Sequence, residues 1–105
     1  MIGRIWKGWT TPENADTYDT LLRTEIFPGI LARAIPGFRR IELLRQDGET
    51  ESEFVTLMWF DDMAAVTAFA GPDAVTAVVP PGARAVLSRF DPTSAHYDVR
   101  EVRTA

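Results

Sequence analysis

The chain has 105 residues, a formal net charge of −4 at pH 7 and no cysteine. A chain of this length builds one modest core, so we predict a single domain spanning residues 1–105. The lack of cysteine excludes disulfides, thiolate metal sites and cysteine nucleophiles, and a single histidine, His96, excludes a multi-histidine metal site within one chain. The acidic balance argues against nucleic acid and anionic membranes as partners.

The sequence also lacks targeting segments and the common catalytic motifs. No apolar run approaches the roughly 20 residues of a membrane span, and the N-terminus has no signal-peptide core. We therefore expect a cytoplasmic protein. No glycine-rich phosphate loop and no Gly-x-Ser-x-Gly motif occurs. Any catalysis is expected to proceed without these common sites.

The first strand is predicted from Ile2 to about Trp9, with successive side chains on opposite faces. One face carries Ile2, Arg4 and Trp6, and the other carries Ile5, Lys7 and Trp9.

Thr11-Pro12 is typical of a helix start, with threonine as the cap. We predict that Pro28-Gly29 interrupts this helix and that Pro36-Gly37 ends it after a last kinked turn or two. Its apolar face is formed by Tyr18, Leu21, Leu22 and Ile26.

A hairpin is predicted around Asp47-Gly48, between a second strand from Phe38 to about Arg45 and a third strand. In the second strand, Ile41 and Leu43 are placed on one face, opposite Phe38 and Leu44. The third strand, Phe54–Phe60, has no polar face: Phe54, Thr56, Met58 and Phe60 alternate with Val55, Leu57 and Trp59. Such a strand must be covered on both sides.

The last part of the chain is predicted to begin with a helix capped by Asp61 or Asp62 and ended by Gly71-Pro72. Its buried stripe is expected to contain Met63, Val66, Phe69 and Ala70. A short helical piece from Asp73 to Val79, a turn from Gly82 to Leu87 and a strand from His96 to Val102 follow.

This order of elements predicts an α+β, ferredoxin-like βαββαβ fold with an antiparallel sheet, whose first and third strands are central. Both helices would cover one face of the sheet. The apolar third strand then requires cover on the other face, and we expect a second copy of the chain to provide it in a homodimer. The alternative, a doubly wound sheet with helices on both faces, needs more helices than the chain supplies.

The pattern of residues resembles the antibiotic biosynthesis monooxygenase family of dimeric α/β-barrels over nearly the whole chain. The residues that carry this resemblance are Arg4-Ile5-Trp6, Tyr18, Leu22, Ile35-Pro36-Gly37-Phe38, Leu43-Leu44-Arg45, Thr56–Asp61, Ala65–Gly71 and His96-Tyr97. The resemblance implies insertion of oxygen into a phenolic polyketide or quinol without metal or flavin. We therefore predict no cofactor and a small aromatic molecule as ligand.

The same family includes haem-degrading enzymes. The resemblance places Trp6, Phe60 and Val79 where those enzymes have an asparagine, a tryptophan and an axial histidine. The axial ligand and the asparagine have no counterpart here, which disfavours haem degradation.

Cofactor-free oxygenation requires a dry pocket, an acceptor for the substrate proton and donors for the resulting anion. Arg4 and Trp6 share a strand face and are the predicted donors, although Arg4 could instead pair with Asp98 while Trp6 fills the core. His96 is the candidate base because its side chain titrates near neutrality. A surface or capping role is the alternative for His96.

The predicted substrate-binding residues are Tyr18, Met58, Phe60 and Arg84. Tyr18 lies on the apolar face of its helix, where it could equally fill the core. Arg84 could close over a cavity mouth or form a surface ion pair. Trp59 and Tyr97 are expected to face the dimer.

Three functions remain open from the sequence. The leading hypothesis is a cofactor-free monooxygenase acting on a quinol-like or anthrone-like molecule. An isomerase or lyase with His96 as proton shuttle needs the same pocket. A non-catalytic dimeric binding or interaction module is the third, and it predicts that Trp6, Tyr18 and Phe60 fill the cavity.

Overall fold

In the computed structural model, which describes residues 1–105, the chain forms an antiparallel sheet with helices packed on one face. The strands are β1 (Ile2–Thr10), β2 (Phe38–Asp47), β3 (Ser52–Phe60), β4 (Arg89–Phe90) and β5 (Ala95–Asp98). The helices are α1 (Ala15–Leu21), α2 (Phe27–Ala32), α3 (Met63–Ala70) and α4 (Pro81–Val86). A 3₁₀ turn (Pro12–Asn14) precedes α1, and a π-helical turn (Leu22–Ile26) joins α1 to α2.

The sheet has β1 and β3 at its centre, as predicted. β2 pairs with the outer edge of β3, while β4 and β5 both pair with the free edge of β1. All of these pairings are antiparallel, and the arrangement confirms the ferredoxin-like α+β fold. No helix of the chain combines the length and the hydropathy that crossing a bilayer requires.

The core forms two clusters on the helix-covered face of the sheet. One surrounds Phe60 and Val66, and the other surrounds Tyr18 and Phe54. On the opposite face, the side chains of β1 and β3 that alternate with this core carry no covering helix. The face left uncovered includes Ile5, Val55, Leu57, Trp59 and, from the neighbouring strands, Leu44 and Tyr97.

The predicted helix boundaries have the local causes that the sequence indicates. The Thr11 hydroxyl accepts a hydrogen bond from the backbone N–H of Asn14 at 3.3 Å, and Asp62 accepts one from the N–H of Ala65 at 2.9 Å. Each side chain satisfies a backbone donor that the first turn leaves free. Gly71 ends α3 with φ = 87°, a left-handed conformation that glycine adopts at little cost.

The predicted interruption at Pro28-Gly29 is wrong. The helical path continues through the π-helical turn into α2 and ends at Ala32. Pro28 follows the π-helical turn directly, where the N–H of Phe27 donates to the carbonyl of Leu22 and the regular i→i−4 pattern is already interrupted. The missing N–H of Pro28 is therefore tolerated without breaking the helical path.

The segment from Asp73 to Val79 is extended rather than helical. It pairs with the chain that leads into β5: the N–H of Ala77 donates to the carbonyl of Pro92 at 2.9 Å, and the N–H of Ser94 donates to that of Val75 at 2.7 Å. Residues 81–86, predicted as a turn, form α4. The last strand is shorter than predicted, and β4 was not predicted.

Two predicted side-chain positions are also wrong. A register shift between Phe38 and Arg40 turns Phe38 onto the face of Ile41, where its ring lies 5.2 Å from that of Phe60. Met63 is 43% exposed and lies outside the buried stripe of α3, which is formed by Ala65 and Val66.

Candidate active site

An apolar cavity that opens to solvent lies between the sheet and the helices and has a volume of about 60 Å³. Twelve of its 16 lining residues are hydrophobic, which is the composition of a small-molecule site. The sheet contributes Arg4, Trp6, Ile41, Thr56 and Met58. The remaining wall is formed by Tyr18, Leu22, Ile26, Phe27, Ile30, Phe69, Val78, Val79, Pro80, Ala83 and Ser94.

The π-helical turn lies directly over this cavity. Leu22 and Ile26 begin and end the turn, and both line the cavity. Phe27 and Ile30 follow in α2 and also line it. Single π-helical turns occur often at functional sites because they alter the direction of the side chains that follow.

Arg4 is the only charged side chain that lines the cavity, and it is 4% exposed. Its Nη1 donates to the carbonyl oxygen of Ala74 at 2.6 Å and lies 2.7 Å from Nε2 of His96. Neither partner is an acid, and the alternative pairing with Asp98 is not formed because the register places Asp98 opposite Ile2. Burial lowers the pKa of Arg4, although a guanidinium remains protonated at neutral pH.

His96 lies opposite Arg4 in the β1–β5 pairing, on the same face of the sheet. Because the guanidinium can only donate, Nε2 of His96 must accept, and the proton of the neutral ring is assigned to Nδ1. Burial, and then the charge of Arg4, lower the pKa of His96 below its ordinary value. The ring does not line the cavity and reaches it only through Arg4.

The lowered pKa of His96 predicts a pH-dependent stability. Below the ordinary value of 6.5, the unfolded chain binds a proton that the folded chain resists, so acidification lowers the free energy of unfolding. In His96→Gln, an amide oxygen can still accept from Arg4 but does not titrate. We expect urea unfolding between about pH 8 and about pH 5 to show a smaller loss of stability in His96→Gln than in the unchanged protein. An equal loss of stability in the two proteins would contradict the lowered pKa of His96.

Trp6 and Tyr18 both line the cavity, as predicted, but only Tyr18 has a polar group without a hydrogen-bond partner in the chain. The indole N–H of Trp6 donates to the carbonyl oxygen of Asp91 at 2.7 Å, so it is not free to bind an anion. Tyr18 is 1% exposed and packs edge-on against Phe54 at 4.8 Å. Its hydroxyl makes no hydrogen bond within the chain. Burial raises the pKa of Tyr18, so the hydroxyl stays protonated and can donate.

The other predicted site residues are divided between the cavity and its surroundings. Met58 lines the cavity. Phe60 is fully buried between Phe38 and Phe69 and does not line it. Arg84 is exposed, and its guanidinium lies 5.4 Å from the ring centre of Phe90.

The sequence analysis did not identify Ser94 or Phe69 as site residues. Ser94 is 6% exposed and lines the cavity because its segment pairs with the extended chain after α3, a pairing without a local signal. Phe69 was predicted to be buried, and its position three residues after buried Val66 was the available indication. No group of three or more histidine, aspartate or glutamate side chains is placed to hold a metal ion.

The comparison with known families decides which family this fold and cavity belong to. The family model for antibiotic biosynthesis monooxygenases matches residues 1–80. The chain belongs to this family. No curated protein is significantly similar to the chain in sequence.

Solved structures of this kind cover nearly the whole chain. A putative antibiotic biosynthesis monooxygenase from Bacillus cereus is 14% identical, with a TM-score of 0.70 over 100% of this chain and 96% of its own. SnoaB, a cofactor-independent oxygenase from Streptomyces nogalater, is 22% identical, with a TM-score of 0.62 over 96% of this chain and 95% of its own.

The ActVA-Orf6 monooxygenase of Streptomyces coelicolor, solved with the ligand nanaomycin D, is a third example. It is 14% identical, with a TM-score of 0.61 over 99% of this chain and 91% of its own. At these identities the three structures establish the shared antibiotic biosynthesis monooxygenase fold.

Proposed function

We propose that the protein is a cofactor-independent monooxygenase that acts on a hydroxylated aromatic small molecule of quinol or anthrone type. Family membership and the likeness to SnoaB support the reaction class. The observation that carries the proposal for this chain is the buried guanidinium of Arg4, which faces an otherwise apolar cavity without a carboxylate partner.

The proposed chemistry needs few protein groups. An anthrone exchanges two hydrogens for one oxygen atom, and the second atom of O₂ leaves as water, so the substrate supplies the electrons. Reaction with O₂ begins from the substrate anion, whose formation a nearby fixed positive charge favours. The substrate proton passes to solvent water at the cavity mouth, so that the substrate binds as its anion. An apolar cavity excludes water that would screen this charge.

The residues have distinct roles in this proposal. Arg4 holds an anionic oxygen of the substrate, and the hydroxyl of Tyr18 donates to a second polar group. Trp6 and Met58 form apolar walls. His96 positions Arg4 rather than acting directly as base, because its Nε2 already accepts from the guanidinium.

The alternative functions have less support from the cavity. The binding or interaction module predicts that Trp6, Tyr18 and Phe60 fill the space, whereas Trp6 and Tyr18 line a cavity that opens to solvent and Phe60 packs beside it. An isomerase or lyase requires a group that removes a proton from the bound ligand and returns it, and no aspartate, glutamate or histidine lines the cavity. The proposed oxygenation requires only that the substrate bind as its anion.

We further propose that two copies of the chain pack through the uncovered face of the sheet. Leu44 and Tyr97 on this face are 49% and 58% exposed. Together with Ile5, Leu57 and Val55, they form an apolar surface of the kind that marks protein interfaces.

The proposed reaction is tested by oxygen uptake with a panel of quinols and anthrones in the presence of a chelator. We expect uptake above the protein-free rate, and a loss of about 100-fold in Arg4→Met, comparable to removing an oxyanion donor. Arg103→Met, which removes an exposed arginine near the C-terminus that does not line the cavity, should retain the rate. Uptake at the protein-free rate with every compound would contradict the proposal.

A further inference from the structure

We infer that the cavity binds its aromatic ligand through a carboxylate group held by the free edge of the Arg4 guanidinium. This inference rests on the proposed function in taking the same cavity as the substrate site. It narrows the proposed substrate from a hydroxylated aromatic molecule to a hydroxylated aromatic acid.

The guanidinium of Arg4 leaves one of its edges without hydrogen bonds. Both of its hydrogen bonds come from Nη1, one to Ala74 and one to His96. The edge formed by Nε and Nη2 makes no hydrogen bond within the chain. This edge presents two parallel N–H donors, which match the two oxygen atoms of a carboxylate. A phenolate offers a single oxygen atom and cannot use the pair in the same way.

The second argument is the charge of the cavity. Arg4 is 4% exposed, and the 16 lining residues include no aspartate, no glutamate and no other cation. His96 beside it is neutral and is not a counter-ion. Besides its two hydrogen bonds, the guanidinium contacts the ring of Phe69, whose centre lies 5.6 Å from Cζ of Arg4. It has no counter-ion, so the folded chain holds a buried positive charge that an anionic ligand would neutralise.

The third argument is the presence of two further unpaired polar groups. Tyr18 and Ser94 are 1% and 6% exposed, both line the cavity, and neither hydroxyl makes a hydrogen bond within the chain. Neither hydroxyl oxygen is fully cut off from solvent, so both groups remain open to a ligand in the cavity. A ring hydroxyl on the ligand can hydrogen-bond one of them while the carboxylate occupies Arg4. In this arrangement Arg4 anchors the substrate, and the reacting ring lies among the apolar walls.

The experiment compares matched ligands by isothermal titration calorimetry in the absence of oxygen. The probes are 1-hydroxy-2-naphthoate, the corresponding carboxamide, and a nitronaphthol that is ionised at the pH of the assay. We expect the naphthoate to bind at least about tenfold more tightly than the other two, as for a charge-assisted bidentate pair. Equal affinity for the carboxamide would overturn the inference, and equal affinity for the nitronaphtholate would assign the site to any anionic oxygen instead.

Variants of Arg4 test whether this residue causes the preference. In Arg4→Met the ratio of affinities for naphthoate and carboxamide should fall to about one, and in Arg4→Lys, which keeps the charge without the fork, it should be intermediate. Arg103→Met should leave the ratio unchanged. A ratio retained in Arg4→Met would overturn the inference. If the Arg4 variants do not fold, the ligand comparison on the unchanged protein still decides.

The outcomes separate this inference from the proposed function. A naphthoate that binds with the expected preference but supports no oxygen uptake supports the carboxylate site and counts against the monooxygenase. Uptake with an uncharged anthrone, with no preference for the acid among the probes, supports the monooxygenase and overturns the carboxylate site.

Discussion

Replacement of Phe60 by alanine is expected to lower the free energy of unfolding by about 3–5 kcal/mol, the range for a large aromatic residue removed from a core. Phe60 is 0% exposed, and its ring lies 5.2 Å from Phe38 and 5.9 Å from Phe69. The cavity left behind would be enclosed by the sheet and α3, which limits collapse around it. Urea unfolding at a fixed protein concentration, followed by circular dichroism, measures the loss.

Met63→Ala is the matched control for this experiment. The sequence pattern predicts burial for both residues, but Met63 is 43% exposed. Its truncation should change the free energy of unfolding by no more than about 0.5 kcal/mol, as for most surface substitutions. Equal effects of the two substitutions would contradict the observed packing of α3 on the sheet.

Leu57→Arg is expected to convert the proposed dimer into monomers. Leu57 lies on the uncovered face of central strand β3, opposite Ile5 of β1 and Glu42 of β2. The neighbouring Glu42 already accepts hydrogen bonds from Arg40 and Trp59. An arginine at position 57 would therefore place an additional charge at the middle of the proposed interface, where burying it is strongly unfavourable. Light scattering at micromolar concentration should give about twice 11.7 kDa for the unchanged protein and about 11.7 kDa for the variant.

Thr67→Arg provides the control for charge alone, because Thr67 is exposed on α3 on the other side of the sheet. It should leave the mass unchanged. A monomeric mass for the unchanged protein would contradict the dimer, and a dimeric mass for Leu57→Arg with native circular dichroism would place the interface elsewhere.

The fold could be predicted because its main signals are local. The unbroken apolar run of β3, the Thr11-Pro12 and Asp62 caps and the Asp47-Gly48 turn each depend on a few neighbouring residues. The errors arise where distant segments determine the conformation. Residues 73–79 are extended because they pair with the chain before β5, and Phe38 faces the core because of a register shift within the sheet.

For the candidate site, strand alternation and pairing order predict which side chains share a face of the sheet. These place Arg4, Trp6 and His96 on one face of the sheet, as the structure shows. They do not determine hydrogen-bond partners. The hydrogen bonds from the Trp6 indole to Asp91 and between Arg4 and His96 depend on the path of the chain after α3. The sequence of that segment has no regular pattern from which its path could be predicted.

The π-helical turn accommodates one more residue than an α-helical turn would hold. In an α-helix each residue advances the side chains by about 100° around the axis. If residues 22–26 became α-helical at unchanged length, Phe27 and Ile30 would rotate by about that angle and leave the cavity wall. Deleting one residue from the turn would restore α-helical geometry and keep both side chains on the cavity side. In homologous sequences, a single-residue gap aligned to this turn should therefore leave the later cavity-lining positions in register.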